Sequence, residues 1–453
     1  MSDSWTGATV ADALGLPAPG SIGETEFPSI STDTRSLRPG ALYVALAGER
    51  FDGHDHLANA VLAGATAAVV RTGTAPVPGL ELFQVPDTLR ALGDLARAWR
   101  MRMPGPVVAI TGSNGKTSTK EMVAAVLRTA YRTHSTRAND NNLVGIPLTI
   151  LAAPIDTEAL VVEAGANQLG EIPRAREIIE PDVAIVTNVT EAHLEGFGSA
   201  DGILREKLAL TDEVPLAITG PEPRRLAIEA RSRARRVISA GLRDADCVPE
   251  GVHMDATGRA TISVDGLEIR LPVLGLHQAA NAMLAWALVR EAGLDRKAAA
   301  EALSSLSLPP GRGEILESHG LTIVNDSYNA NPGSFRSAIA TARLMRPNRK
   351  LVFVAGTMRE LGEASAALHA DIARELVALD PEILAVVGEF VPALQPYASR
   401  LDGRLLSAPD ALSLGPILAE RLSGDELVVL KASRGVALER IIPHLLARAH
   451  SPN

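Results

Sequence analysis

The segment Thr111-Gly112-Ser113-Asn114-Gly115-Lys116-Thr117-Ser118-Thr119 follows the apolar run Val107 to Ile110 and precedes a helical pattern predicted from Lys120. Glycines let a backbone fold so that its N–H groups point at phosphate oxygens, and a helix amino terminus adds partial positive charge. In such a loop Lys116 reaches the β and γ phosphates of a nucleotide, and the Thr117 hydroxyl meets magnesium. Gly112, Ser113, Asn114, Gly115 and Ser118 form the rest of the expected cradle. The general pattern has a glycine five residues before Gly115, where this chain has Ile110. An ordinary strand-to-helix turn is therefore the plain alternative.

Glu163 ends another apolar run, Ala159 to Val162. A carboxylate at the end of a buried strand needs a cation or hydrogen bonds, because leaving it unpaired is costly. Magnesium prefers oxygen ligands, so Glu163 is a candidate ligand with Thr117; a helix-capping role is the alternative. Lysine use carries a second signal. Lys occupies only positions 116, 120, 207, 297, 350 and 431 among 44 basic residues, so Arg supplies nearly all the positive charge. A compact ammonium that can lose its proton does things a guanidinium cannot. Lys297 and Lys350 read as chance survivors, and Lys207, taken alone, as a solvated helix lysine.

The elements that must hold these groups can be read coarsely. Strand-like runs at Ala41 to Ala47 and Thr66 to Val70 lie in a small α/β unit. Punctuation at Met103-Pro104-Gly105-Pro106 ends it. The runs Val107 to Ile110, Ala159 to Val162 and Val183 to Val186 are short, continuous and separated by helix-length segments, the pattern of buried parallel strands. Pro309-Pro310-Gly311 marks a second linker. Beyond it, Thr322 to Asn325, Leu351 to Ala355, Leu384 to Val387 and Leu427 to Leu430 predict a doubly wound domain. The expected fold is thus α/β with three domains, at 1–104, 105–310 and 311–453, which agrees with 453 residues at about 150 per domain.

Composition excludes several classes. Hydrophobic residues make up 46% and charged residues 21%, which leaves disorder without support. A net charge of -9 opposes non-specific attraction to nucleic acid or anionic lipid. With 7 Phe, 4 Tyr and 3 Trp there is no stacking platform for single strands. One cysteine, Cys247, cannot make an intrachain disulfide, so a reducing compartment is expected. The first residues do not read as a signal peptide, and no run approaches the roughly 20 apolar residues that span a bilayer. A cytoplasmic monomer with no nucleic-acid partner and no membrane insertion is the expectation.

The shortened loop Thr111 to Ser118 resembles the nucleotide loop of the Mur ligase superfamily. The similarity continues through Val162-Glu163-Ala164-Gly165-Ala166-Asn167, Gly170-Glu171-Ile172, Thr187-Asn188-Val189 and Ala192-His193-Leu194-Glu195. Lys207 follows His193 by 14 residues, where the superfamily carries a carbamylated lysine. The resemblance implies ATP as a substrate and two magnesium ions, with Thr117, Glu163, His193 and carbamylated Lys207 as ligands. Lys116, Glu163, His193 and Lys207 are then the catalytic set. It further implies adenine contact by Asn281, with Gln278 where the superfamily usually has Asn, and nucleotide contacts by Arg312 and Asp326.

Asp326-Ser327-Tyr328-Asn329-Ala330-Asn331-Pro332, Asp33-Thr34-Arg35 and Ala47 to His54 resemble the dipeptide-adding branch. The Asp-Asn-Pro-Arg tetrapeptide usual in the diaminopimelate-adding branch is absent. The implied reaction is ATP-dependent amide formation through an acyl phosphate, joining D-alanyl-D-alanine to UDP-MurNAc-tripeptide. Substrate contacts are then expected from Asp33, Thr34, Arg35, Gly48, Gly53, His54, Asn141, Asn142, Tyr328, Asn329, Asn331, Lys431, Ser433 and Arg434. Thr357 stands where relatives often have Asp, and Ala432 where Gly is usual. A diaminopimelate- or lysine-adding ligase, a P-loop regulatory ATPase or GTPase, and a non-catalytic UDP-sugar-binding module are the rival readings.

Overall fold

The structure, a computed structural model, describes residues 4–17, 22–48, 51–190, 194–347 and 349–449. Ala192 and His193, named above, and positions 49 and 50 within the run Ala47 to His54 lie outside the described residues. Four parallel strands, Ile30–Ser31, Leu42–Val44, Ala67–Arg71 and Glu81–Val85, form the first sheet in that order. The expected strand at 41–47 is shorter, because Ala47–Gly48 turns away to pair with Phe51–Asp52 in a hairpin.

A second sheet has six strands in the order Thr133–Ser135, Ala159–Glu163, Val107–Thr111, Val183–Val186, Leu216–Thr219 and Val237–Ser239. Ala159–Glu163, Val107–Thr111 and Val183–Val186 are buried along their whole length. Two-sided burial is why they read as continuous apolar runs and not as alternations. A three-stranded antiparallel sheet, Gly251–Met254, Arg259–Val264 and Leu267–Leu274, follows and is additional to the strands expected from the sequence. The sequence also placed the loop helix too late. It spans Lys116–Leu127, starting directly after Gly115, whose left-handed φ of 80° ends the loop. Thr117, Ser118 and Thr119 are mediocre helix formers and hid that first turn.

The last sheet runs Glu314–Ser318, Leu321–Asp326, Leu427–Lys431, Leu351–Ala355, Ile383–Val387, Leu405–Ala408, with only the first strand antiparallel. Leu351, Phe353 and Ala355 enter one apolar core, and Val352 and Val354 the other. Helices therefore cover both faces, as the doubly wound expectation requires. Leu427–Lys431 returns between Leu321–Asp326 and Leu351–Ala355, which puts a topological switch at the carboxyl ends of these strands. Compactness divides the chain into one unit of residues 1–110, 131–166 and 170–184, and another of 111–130, 167–169 and 185–453.

His369 is fully buried in the second unit against Phe390, with ring centroids 4.9 Å apart. Its Nε2 accepts the Met358 N–H at 2.9 Å, while Nδ1–H donates to the Ser365 carbonyl at 2.8 Å. Burial pushes the imidazole pKa below its ordinary 6.5. The stabilisation from the neutral ring is complete above that ordinary value and is lost as pH falls through it towards the lowered folded value. Urea midpoints at about pH 7.5 and about pH 5.5 are expected to differ more for the wild type than for His369→Gln; equal differences would contradict this account.

Candidate active site

The buried strand Val107–Thr111 delivers the chain into the glycine loop. Gly112 has φ 143°, and a Cβ there would lie 2.0 Å from Thr187 Oγ1. A Cβ on Gly115 would lie 2.5 Å from Asn281 Oδ1. Between them, every polar atom of Asn114 is engaged. Its N–H donates to Asn188 Oδ1 at 3.1 Å, and its carbonyl accepts from Thr187 Oγ1 at 2.5 Å and Asn188 Nδ2 at 3.1 Å. Its side chain donates to Thr190 Oγ1 at 3.1 Å and accepts from Asn331 Nδ2 at 2.7 Å. Ser113 Oγ exchanges hydrogen bonds with the backbone of Thr190.

Lys116 folds back over this loop, its Nζ 2.8 Å from the Gly112 carbonyl and 3.3 Å from that of Ser113. Thr117 and Ser118 are buried in the first helical turn, where N–H groups have no intrahelical acceptor. Gln278 donates to Ser118 Oγ at 3.2 Å and accepts from Asn281 Nδ2 at 3.1 Å. The departure at Gln278 is thus accommodated by a bond to the loop helix. Lys120, a residue with no role expected from the sequence, is fully buried and 2.5 Å from Glu121 Oε1. The scarcity of lysine was the signal that could have singled it out.

In the first unit, Glu163 closes its strand at 1% exposure. Oε1 accepts from Asn141 Nδ2 at 2.8 Å, whereas Oε2 is buried without a hydrogen-bond partner. The helix-capping alternative is not what the structure shows for this carboxylate. An orphaned buried carboxylate oxygen is costly and fits a hard cation. Asn142 Oδ1 instead accepts the N–H groups of Val144 and Gly145 and shapes a turn.

Lys207 lies in the helix Ala200–Leu208, started by Ser199 Oγ accepting the Gly202 N–H. It is 1% exposed, with its ammonium 5.2 Å from the Phe197 ring centroid. The solvated-lysine reading is overturned.

The N-terminal residues are ordered locally. Arg35 binds Asp33 through its side chain and holds that carboxyl at about 2; Thr34 lies between them. His54 Nδ1 is 2.5 Å from Asp52 Oδ1, and its Nε2 accepts the Arg71 N–H at 2.9 Å. Both ring nitrogens are spent, so His54 orders this loop and offers no donor outward, a correction to its expected substrate contact. Gly48 sits in the hairpin strand, and a Cβ on Gly53 would lie 2.9 Å from the Leu46 backbone and the Tyr43 hydroxyl.

At the carboxyl edge of the last sheet, Asp326 and Lys431 face each other in register. Lys431, only 3% exposed, donates to Asp326 Oδ2 at 2.7 Å, the Asp326 carbonyl at 3.2 Å and the Asn329 carbonyl at 2.8 Å. An ammonium has three hydrogens, so none remains for a ligand; Lys431 positions Asp326, where a substrate contact was expected. Ser433 Oγ donates to the Ala330 carbonyl at 3.3 Å and accepts the Arg359 N–H at 3.0 Å. Asn329 Oδ1 accepts the Ala330 N–H, and Asn331 caps the helix Pro332–Met345. The Tyr328 ring carries Arg312 at 4.1 Å and Arg434 at 5.0 Å, and Arg312 Nε is buried without a partner. Thr357 Oγ1 accepts the Glu389 N–H, and Ala432 fits because a Cβ on Gly356 would come within 2.8 Å of its own.

This is the arrangement of a phosphate-binding-loop enzyme with a doubly wound C-terminal sheet. Family models agree with it in three places. The Mur ligase family catalytic domain matches residues 26–100, the Mur ligase middle domain 110–289, and the Mur ligase glutamate ligase domain 311–403. The chain is 35% identical to the UDP-N-acetylmuramoyl-tripeptide--D-alanyl-D-alanine ligase of Bacillus subtilis (strain 168) over 446 residues, 93% of this chain and 94% of that one. Among solved structures, MurF from Acinetobacter baumannii superposes with a TM-score of 0.88 at 29% identity, covering 98% of this chain and 99% of the other. MurF ligase from Thermotoga maritima in complex with ADP gives 0.82 at 29% identity, covering 93% and 97%. The chain belongs to the Mur ligase family.

Gly115→Ala combines an unfavourable φ with a clash on Asn281, and is expected to weaken ADP-magnesium binding about tenfold or more. Gly170 has a similar φ of 91° but open space beyond it, so Gly170→Ala serves as the control. Titration calorimetry giving equal dissociation constants for the two variants would contradict the loop geometry.

Proposed function

We propose that this chain is the ATP-dependent ligase that joins D-alanyl-D-alanine to UDP-MurNAc-tripeptide, giving the UDP-MurNAc-pentapeptide precursor of peptidoglycan. The observation that carries the reading is the 2.7 Å hydrogen bond between Asn331 and Asn114. It ties the segment that resembles the dipeptide-adding branch directly to the nucleotide loop. The name of the Bacillus subtilis relative points the same way.

A free carboxylate is a poor electrophile. Its oxygen attacks the γ-phosphorus of ATP, ADP leaves, and the terminal carboxyl of the tripeptide becomes an acyl phosphate. The dipeptide amine then attacks the acyl carbon, the C–O bond to phosphate breaks, and inorganic phosphate departs as the amine loses a proton. Lys116 and the first turn of the loop helix offset charge on the phosphates. Gly112, Ser113, Asn114, Gly115, Thr117 and Ser118 shape that cradle, with Asn281 at adenine and Arg312 and Asp326 at ribose and phosphate. No protein nucleophile is needed.

Thr117, Glu163, His193 and a carbamate on Lys207 would hold two magnesium ions, and the unpaired Glu163 Oε2 supports that donor set. When bound, the ions neutralise the crowded negative charge of carboxylate and phosphates. CO2 adds to an uncharged amine, a form that buried lysine can adopt and arginine cannot. Residues 1–104 would bind the UDP moiety, 105–310 ATP with the reacting groups, and 311–453 the dipeptide; the three family matches lie within these bounds. The reading includes a cytoplasmic monomer without nucleic-acid partner or membrane insertion. Among the described residues, no helix is long and apolar enough to cross a membrane.

Phosphate release with ATP-magnesium is expected only when UDP-MurNAc-tripeptide and D-alanyl-D-alanine are both present. Release with diaminopimelate and UDP-MurNAc-dipeptide instead would move the enzyme to the neighbouring branch, and release with no acceptor would favour a regulatory ATPase. With carbon-13 bicarbonate, a carbamate signal is expected in the wild type and not in Lys207→Arg; its absence from both would remove the carbamate from the scheme.

A further inference from the structure

Three side chains at and just beyond the end of the strand Leu427–Lys431 are expected to meet substrate, and the geometry leaves one able to do so. Lys431 spends its donors on Asp326 and Asn329, and Ser433 is held between Ala330 and Arg359. Arg434 is exposed and makes no side-chain hydrogen bond or ion pair among the described residues. Its guanidinium instead lies 5.0 Å from the Tyr328 ring centroid. Arg312, also in no ion pair among the described residues, lies 4.1 Å from the same ring. The platform is pinned on both sides. The Tyr328 N–H donates to the Gly311 carbonyl at 3.1 Å, next to Arg312, and Ser433, next to Arg434, is bonded to Ala330.

Resting on the function proposed above, we propose that Arg434, presented by the Tyr328 ring, binds the free carboxylate of the incoming dipeptide, and that Tyr328 is a positioning residue for both arginines. A planar guanidinium matches a carboxylate with two parallel N–H donors, and stacking restrains it before the ligand arrives. Arg312, on the same ring, is the arginine assigned above to ribose and phosphate. The two cations therefore receive different anions, the dipeptide carboxylate at one and phosphate or ribose at the other. Selection for a free carboxylate follows, because an amide in its place presents a donor to a donor.

The test uses the full chain and compares D-alanyl-D-alanine with its C-terminal amide as acceptor in the phosphate-release assay. The wild type is expected to prefer the free acid by about tenfold or more in kcat/KM. Arg434→Gln should abolish that preference by raising the dipeptide KM while leaving the ATP KM unchanged. Tyr328→Leu should raise both KM values, and Tyr328→Phe, which keeps a ring, neither. Arg434→Lys, a milder change that keeps the charge, should lose most of the preference and covers the case in which Tyr328→Leu fails to fold. A free-acid preference that survives Arg434→Gln overturns the proposal, and so does a rise in the ATP KM instead of the dipeptide KM. A wild type that releases no phosphate with D-alanyl-D-alanine refutes the function itself, a distinct outcome.

Discussion

Asn114 is the point on which the nucleotide loop hangs. A phosphate cradle must keep its backbone turned towards the ligand while the loop's own polar groups are satisfied on the other side. Here one asparagine does this with all four of its polar atoms, bonded to Thr187, Asn188, Thr190 and Asn331. Gly112 and Gly115 then become obligatory, because Thr187 and Asn281 occupy the space a Cβ would need. The loop, the strand end at Val183–Val186 and the segment before the helix Pro332–Met345 are thereby one hydrogen-bonded assembly.

A second constraint is the treatment of buried charge. Lys120, Lys207 and Lys431 are all nearly inaccessible, in a chain whose basic residues are mostly arginine. Lys431 is neutralised by Asp326 and saturated with acceptors, so its burial is affordable and its task is orientation. Glu163 is the opposite case, with one oxygen satisfied and one left over. A stable fold tolerates such a deficit where a ligand will make it good, and a divalent cation is the ligand with the right chemistry.

The fold was largely legible because its strands are short, apolar and buried on both faces, so Leu351 to Ala355 and Val107 to Ile110 announce themselves without tertiary knowledge. The loop was legible for a similar reason: glycine, lysine and threonine at fixed offsets have few other uses. What the sequence hid was partnership. Nothing in the type or spacing of His54 says that both ring nitrogens are consumed by Asp52 and Arg71. Nothing local says that Lys431 is turned inward while Arg434, three residues on, faces out. Long-range hydrogen bonds such as Asn114 to Asn331 join residues that no periodicity relates. The start of the loop helix was missed because helix propensity is weak there and a single left-handed glycine decides the boundary.

The proposed reaction depends on activation of a carboxylate by phosphoryl transfer before the amide bond forms. It is tested most directly by labelling the terminal carboxylate oxygens of UDP-MurNAc-tripeptide with a heavy oxygen isotope and analysing the released phosphate by mass spectrometry. An acyl phosphate breaks between carbon and the bridging oxygen, so one labelled oxygen is predicted in each phosphate formed with D-alanyl-D-alanine. Unlabelled phosphate, accompanied by full retention of label in the peptide product, would contradict the mechanism.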